Sequence, residues 1–302
     1  MERSVRKPDF FIVGAPKCGT TAMQDYLSQH PEIFMPREKE LHFFGSDLRF
    51  SHKRMDEKEY LGYFRNAMSE KRVGEASVWY LYSKLAAGEI KEFNPSSKII
   101  IMLRNPVDVL YSLHSRFLYD GNEDIVDFRE ALQAEQDRKR GLRIPKTVMV
   151  VDTLYYKDTI RYTEQVRRYF DVFGRENVLI IIFEDFKNKT YEVYKETLSF
   201  LGVNQHFQPL FRIVNPNKRI RSEFLRNLLI NPPQKLQSLA KILLPSGLRQ
   251  TLVETLWTFS TVYEPRTAID PKLRNRLREE FASDVKSLSI LLGRDLVNWT
   301  KG

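Results

Sequence analysis

The chain has almost no cysteine. Cys18 is the one thiol in 302 residues, so no internal disulfide can form and the fold has no need of an oxidising compartment. Long apolar runs are missing as well. No stretch reaches the ~18 residues that a membrane span requires, and the opening "MERSVRKPDF" carries no apolar signal-peptide segment. The expectation is a cytoplasmic protein with no stable membrane insertion. Repeats, low-complexity tracts and any linker long enough to separate independent domains are also absent, so residues 1–302 are expected to form a single domain. Positive charge, by contrast, is plentiful. Lys and Arg number 48 against 39 Asp and Glu, a formal charge of +9, which favours an anionic cofactor, substrate or surface. The basic residues are dispersed, with small clusters such as "DRKRG" (137–141) and "NKRIRS" (217–222), and no zinc-finger or RNA-recognition signature accompanies them. Nucleic acid is not an expected partner.

Three short, nearly continuous apolar runs stand out: "DFFIVGA" (9–15), "KIIIML" (98–103) and "VLIIIF" (178–183). Runs of this kind form parallel strands buried on both faces. Helical patterns follow them at 20–29, 106–119 and 190–201, and a further one, "YYKDTIRYTEQVRRYFDVFG" (155–174), precedes the last strand. "RVGEAS" (72–77) can add a strand. Strands alternating with helices argue an α/β fold whose central, mainly parallel sheet is flanked by helices, with ligands outside the carboxyl ends of the strands. Residues 120–153 and 203–272 are less regular.

The first strand runs into "GAPKCGTT" (14–21). Gly14 and Gly19 have the separation of a Walker A loop, but Thr20 stands where its lysine belongs, and the lysine is Lys17, inside the loop. The amides of Lys17, Cys18, Gly19, Thr20 and Thr21 can converge on an anion at the start of the next helix, and the two threonines add hydroxyl donors. Cys18 contributes its amide here, since no basic partner for a thiolate stands nearby in sequence. The alternatives are an ordinary strand-to-helix turn with no ligand and a solvated Lys17.

The second strand delivers "LRNPVDVLYSLHSRF" (103–117). Asn105 suits an N-cap and Pro106 the first helical position, which puts Arg104 at the strand's carboxyl edge. Ser112 shares a helical face with Asp108. Arg104 and Ser112 can therefore hold a second phosphate apart from the first; the competing reading is a structural salt bridge and a surface serine.

Together, "GAPKCGTT" and "LRNPVDVLYSLHSRF" resemble the two cofactor motifs of the sulfotransferases that use 3′-phosphoadenosine 5′-phosphosulfate (PAPS). "PREKELHFFG" (36–45) and "GEASVWYLYS" (74–83) are similar to the K-E-h-H-F-F and E-K/A-S-x-x-Y segments of the Golgi heparan-sulfate type and its bacterial relatives, and "LREEFASDVKSLSILLGRDLVNW" (277–299) resembles the closing helix of bacterial members. The resemblance implies that the first loop is P-loop-like and holds the 5′-phosphosulfate, that Arg104 and Ser112 hold the 3′-phosphate, and that adenosine 3′,5′-bisphosphate is the product, with no metal required. Lys17 would offset charge on the bridging oxygen and the transferring group. Glu40 is the implied base and His42 its implied helper, two residues on and facing the same way if the segment is extended. "VNPNKRIRSEFL" (214–225) resembles a loop that closes over the cofactor, which would bring Lys218 and Arg219 to its phosphates; a solvated basic turn fits that stretch equally. Ala76 occupies the place of a lysine found in several relatives, so no second catalytic lysine is implied.

The acceptor is expected to be a small molecule, carbohydrate or lipid. The leucine-rich stretch 234–259 reads as a core-facing helical pair or as a surface for a membrane or an amphiphilic acceptor. Two other functions compete. A P-loop nucleotide or small-molecule kinase would use "VLIIIFED" as a strand presenting Asp185 to magnesium, although it would want the missing Gly-Lys-Thr. A non-catalytic anion-binding module would have no need of Glu40 beside the loop.

Overall fold

The computed structural model describes residues 5–212, 218–220, 248, 255–256, 261–263 and 266–301. At its centre are five parallel strands, β1 (Phe10–Gly14), β2 (Ile33–Phe34), β3 (Arg72–Ala76), β4 (Lys98–Leu103) and β5 (Val178–Ile182), in the order β2-β3-β1-β4-β5. All five residues of β1 and five of the six in β4 are buried, as a strand covered on both faces requires. A two-stranded antiparallel ribbon, β6 (Lys218–Ile220) and β7 (Thr261–Tyr263), stands apart from this sheet.

Eleven described helices surround the strands. They are α1 (Thr20–Ser28), α2 (Glu57–Gly62), α3 (Ala86–Phe93), α4 (Pro106–Asp120), α5 (Phe128–Gln133), α6 (Glu135–Lys139), α7 (Tyr156–Thr159), α8 (Tyr162–Phe173), α9 (Phe183–Asn188), α10 (Thr190–Leu201) and α11 (Pro271–Leu292). Helix α8 packs on β4 and β5 and is itself covered by α3 and α11, while α11 also reaches α4. One hydrophobic cluster runs from Phe10 in β1 to Trp299 beyond α11.

The helical pattern at 155–174 is interrupted rather than continuous. The chain leaves helical geometry at Arg161, where φ is −78° and ψ is 76°. The side-chain amide of Gln165 takes up the carbonyls of Asp158 and Thr159, each at 3.2 Å, so the break leaves those two buried acceptors paired. The strand expected over 178–183 ends one residue early, because Phe183 already belongs to α9. The stretch 234–259 lies almost wholly outside the described residues.

Candidate active site

The loop that follows β1 is shaped by packing as much as by glycine's freedom. A Cβ on Gly14 would lie 2.6 Å from the Leu81 Cβ, and Gly19 has φ +90° with Phe183 only 3.1 Å from where its Cβ would stand. Neither position accepts a side chain without displacing neighbours. Gly19 caps α1, so the first amides of that helix open onto the loop with no side-chain cap to satisfy them.

Arg104 sits where β4 gives way to α4, as the N-cap pattern implied. The Asn105 side chain accepts from the Val107 N–H at 3.0 Å and Pro106 starts the helix, a cap worth about 1 kcal/mol. The Arg104 guanidinium lies 4.6 Å from the centre of the Phe183 ring and donates to the Lys17 carbonyl at 3.4 Å. Phe183 therefore backs both Gly19 and Arg104. One turn along α4, Asp108 lies 3.9 Å from Arg104 and 3.0 Å from Arg274 of α11. Ser112 is 1% exposed, and its hydroxyl has no hydrogen-bond partner among the described residues. A buried hydroxyl left unpaired costs about 1–3 kcal/mol, which a ligand oxygen would recover.

Lys17 is crowded by cations. Burial and, after it, the guanidinium groups of Arg116 and Arg266 pull its ammonium down to about 8; Asp120 opposes them and Arg104 adds to them. Such a gathering of like charge around a helix N-terminus favours a multiply charged anion. Cys18 is fully buried, its thiol lies 3.4 Å from the Pro16 carbonyl, and burial pushes it up to about 12. The thiol is no nucleophile, and only the backbone of Cys18 can serve the loop.

Glu40, in the segment after β2, is held beside the end of β3 and linked to this loop through Lys39. Its N–H donates to the Ala76 carbonyl at 3.0 Å, and its Oε2 accepts from the Val78 N–H at 2.9 Å. Its Oε1 pairs with the Lys39 ammonium, which also donates to the Thr20 hydroxyl at 3.3 Å. His42 Nε2 lies 3.8 Å from Glu40 Oε2, although not for the reason the sequence suggested. The segment is not extended: Glu40 and His42 have φ of 62° and 53°, a left-handed geometry that costs an L-residue roughly 1–2 kcal/mol. The two side chains meet through a turn on either side of Leu41. Burial holds the His42 imidazole below its usual value, with Glu40 opposing.

With this geometry in hand, the relatives fall into place. A family model described as "Sulfotransferase domain" matches residues 7–218. The chain belongs to the sulfotransferase family. A solved sulfotransferase from Alicyclobacillus acidocaldarius is 33% identical, with a TM-score of 0.73 over 98% of this chain and 100% of its own. Mouse carbohydrate sulfotransferase 15 is 27% identical over 253 residues, covering 65% of this chain and 44% of its own length. Mouse bifunctional heparan sulfate N-deacetylase/N-sulfotransferase 4 is 26% identical over 209 residues, 66% of this chain and 23% of its own. The chain thus spans less than half the length of these two curated relatives.

Within this sulfotransferase, the structure brings together Lys17, Thr20, Arg104 and Glu40, with His42 behind Glu40 and Ser112 further along α4. Thr20 is buried and Thr21 half-buried. Lys218 and Arg219 lie on β6, beside α4, and their side chains fall outside the described part of the structure. Asp185, the residue a kinase would need on magnesium, is on α9 rather than a strand end and pairs with Arg294 at 2.5 Å. Sequence reasoning missed Lys39, Arg116, Phe183 and Arg266. Arg116 was within reach, four residues beyond Ser112 on the same helical face. Lys39, Phe183 and Arg266 act through contacts that no local pattern announces.

Proposed function

We propose that this sulfotransferase moves a sulfuryl group from PAPS to a hydroxyl or amine acceptor, with Glu40 as the base. The observation that carries the reading is that Lys17, on which the Arg104, Arg116 and Arg266 guanidinium groups act, sits in the same loop as Thr20, to which the Glu40 carboxylate is linked through Lys39. The unpartnered Ser112 hydroxyl and the uncapped start of α1 suit a ligand with two separate anionic groups. The family uses PAPS, which supplies, when bound, a sulfuryl group on a phosphate leaving group.

In this reading Lys17 and the amides of residues 17–21, with the Thr20 and Thr21 hydroxyls, hold the phosphosulfate. Arg104 and Ser112 hold the 3′-phosphate, and Lys218 and Arg219 close from β6. Glu40 takes the acceptor's proton on a carboxylate whose two oxygens are already aimed by Lys39 and the Val78 amide, so little reorganisation is left for the moment of transfer. His42 can hydrogen-bond the acceptor or steady Glu40.

The names of the curated relatives favour a carbohydrate acceptor, and a cytoplasmic location belongs to the same proposal. No described helix is long and apolar enough to cross a membrane. Incubation with labelled PAPS and a panel of glycan, lipid and small alcohol or amine acceptors tests the reading. Transfer of label to one acceptor class is the expected result. Retention of adenosine 3′,5′-bisphosphate without any transfer would reduce the chain to a binding module.

A further inference from the structure

A second carboxylate stands near Glu40. Glu75, on β3, is 1% exposed, has no cation paired with it among the described residues, and receives three hydroxyl protons: Ser77 at 2.5 Å, Tyr60 at 2.9 Å and Tyr80 at 3.2 Å. All three donors are themselves buried. Two of them do a second job on the 40–44 segment. Ser77 Oγ accepts the His42 N–H at 3.2 Å, and the Tyr80 hydroxyl accepts the N–H groups of Phe43 at 2.9 Å and Phe44 at 3.3 Å. The ring of the third, Tyr60, stacks on Phe43 with centroids 4.2 Å apart and planes 8° from parallel.

The proton count fixes the direction of the Ser77 and Tyr80 bonds. Each hydroxyl has one proton to give, and the amides of residues 42–44 occupy the oxygens of Ser77 and Tyr80 as acceptors. Their protons must therefore go to Glu75. A carboxylate has two oxygens that can take three donors at once, and the three hydroxyls oppose the burial that pushes Glu75 up to about 7. An amide in its place brings two N–H groups and a single acceptor oxygen, so at least one hydroxyl would have to turn away. On its other side the segment is clasped by Arg54, which donates to the carbonyls of His42, Phe43, Phe44 and Gly45. The clasped stretch begins in the turn that contains the two left-handed residues, Glu40 and His42, a geometry that persists only where its surroundings over-determine it.

We propose that Glu75 is a positioning residue: through Ser77 and Tyr80 it holds the amides of residues 42–44 and so keeps the left-handed turn that aims Glu40 and His42 at the phosphate-binding loop. The inference rests on Glu40 as the base, and it adds a residue that acts without touching substrate.

Two measurements on Glu75→Gln test it. Hydrogen exchange reports the amides of residues 42–44, and the release of labelled sulfate from PAPS into water reports chemistry without needing an identified acceptor. The expected result is exchange about tenfold faster at residues 42–44 and sulfate release lowered by about 10- to 100-fold, the scale of a small misplacement of a reacting group. Affinity for adenosine 3′,5′-bisphosphate and the protection of α4 should stay at wild-type values. Ser77→Ala and Tyr80→Phe dissect the relay, and they serve equally if Glu75→Gln does not fold. The first should free the His42 amide alone, whereas the second should free those of Phe43 and Phe44. The proposal is overturned if sulfate release falls while residues 42–44 keep their protection, or if α4 and nucleotide affinity are lost in step with them. Unchanged exchange in all three variants overturns it too. A wild-type chain that neither binds the nucleotide nor releases sulfate would sink the proposed function instead, and the exchange data would still decide whether Glu75 holds the segment.

Discussion

The two halves of the candidate site are built on opposite plans. On the donor side, the loop after β1 and the start of α4 gather cations that pull Lys17 down to about 8, an uncapped helix start and a Ser112 hydroxyl with no partner among the described residues. On the proton-accepting side the amides of Glu40 and of residues 42–44, the carbonyls of residues 42–44 and the Glu40 carboxylate are already matched, by Ala76, Ser77, Val78, Tyr80, Arg54 and Lys39. The first half is incomplete without an anion. The second, His42 Nδ1 apart, is paired before any ligand arrives and spends its hydrogen bonds on geometry. Affinity should therefore reside in one half and chemistry in the other.

Lys17→Ala strikes where the halves overlap, because the ammonium meets both the bound phosphosulfate and the charge that develops during transfer. Turnover should drop by about 10²–10³, the scale for losing a key electrostatic donor, and donor affinity should fall with it. Steady-state kinetics beside calorimetry would separate the two losses. Glu40→Gln should split them cleanly: about 10² in turnover with nucleotide affinity intact. If affinity fell equally, the division between the halves would be wrong. Arg104→Ala belongs to the donor half alone. It should weaken adenosine 3′,5′-bisphosphate by roughly 1.5–3 kcal/mol and adenosine 5′-phosphate hardly at all, since only the former offers a second phosphate; equal losses would assign Arg104 to the fold or the adenine.

A smaller effect follows from pH. Lys17 titrates near 8 in the free chain, and a bound anion must raise that value. Affinity for the donor should be fully present below about pH 8 and fall by up to about tenfold per unit above it, until the raised value of the complex is passed. Lys17→Arg, which stays charged, should flatten that slope in a titration followed by calorimetry. Smallest of all, Ser112→Ala should weaken the 3′-phosphate contact by about 1 kcal/mol and leave turnover at saturation unchanged.

The same contrast explains what could be read from the chain alone. The donor half is written in local code. An apolar strand, a glycine turn, an Asn-Pro cap and the four-residue step from Asp108 to Ser112 each act over a few residues, so the sequence carries them openly. Strand β2 escaped notice because two residues, Ile33 and Phe34, are too few to show a period. Glu40 and His42 were recognised through family resemblance, and local alternation put them on one side of an extended segment. Their real geometry depends on Ser77 and Tyr80, more than thirty residues away, and on Lys39 reaching back to Thr20. Arg266 comes to Lys17 from beyond the ribbon, with no spacing rule to predict it.

The cap on α4 has a consequence for how the protein is made. Besides accepting from Val107, Asn105 donates its side-chain amide to the carbonyl of Trp299 at 3.2 Å, across 194 positions of sequence. During synthesis the loop and the first turn of α4 leave the ribosome long before that acceptor exists. Closing so distant a pair carries a loop-entropy cost that shorter-range contacts do not. The residue next to Arg104 therefore gains its last bond only after α11 has been translated and docked, and a nascent chain stalled before Trp299 should hold adenosine 3′,5′-bisphosphate less tightly than the released protein.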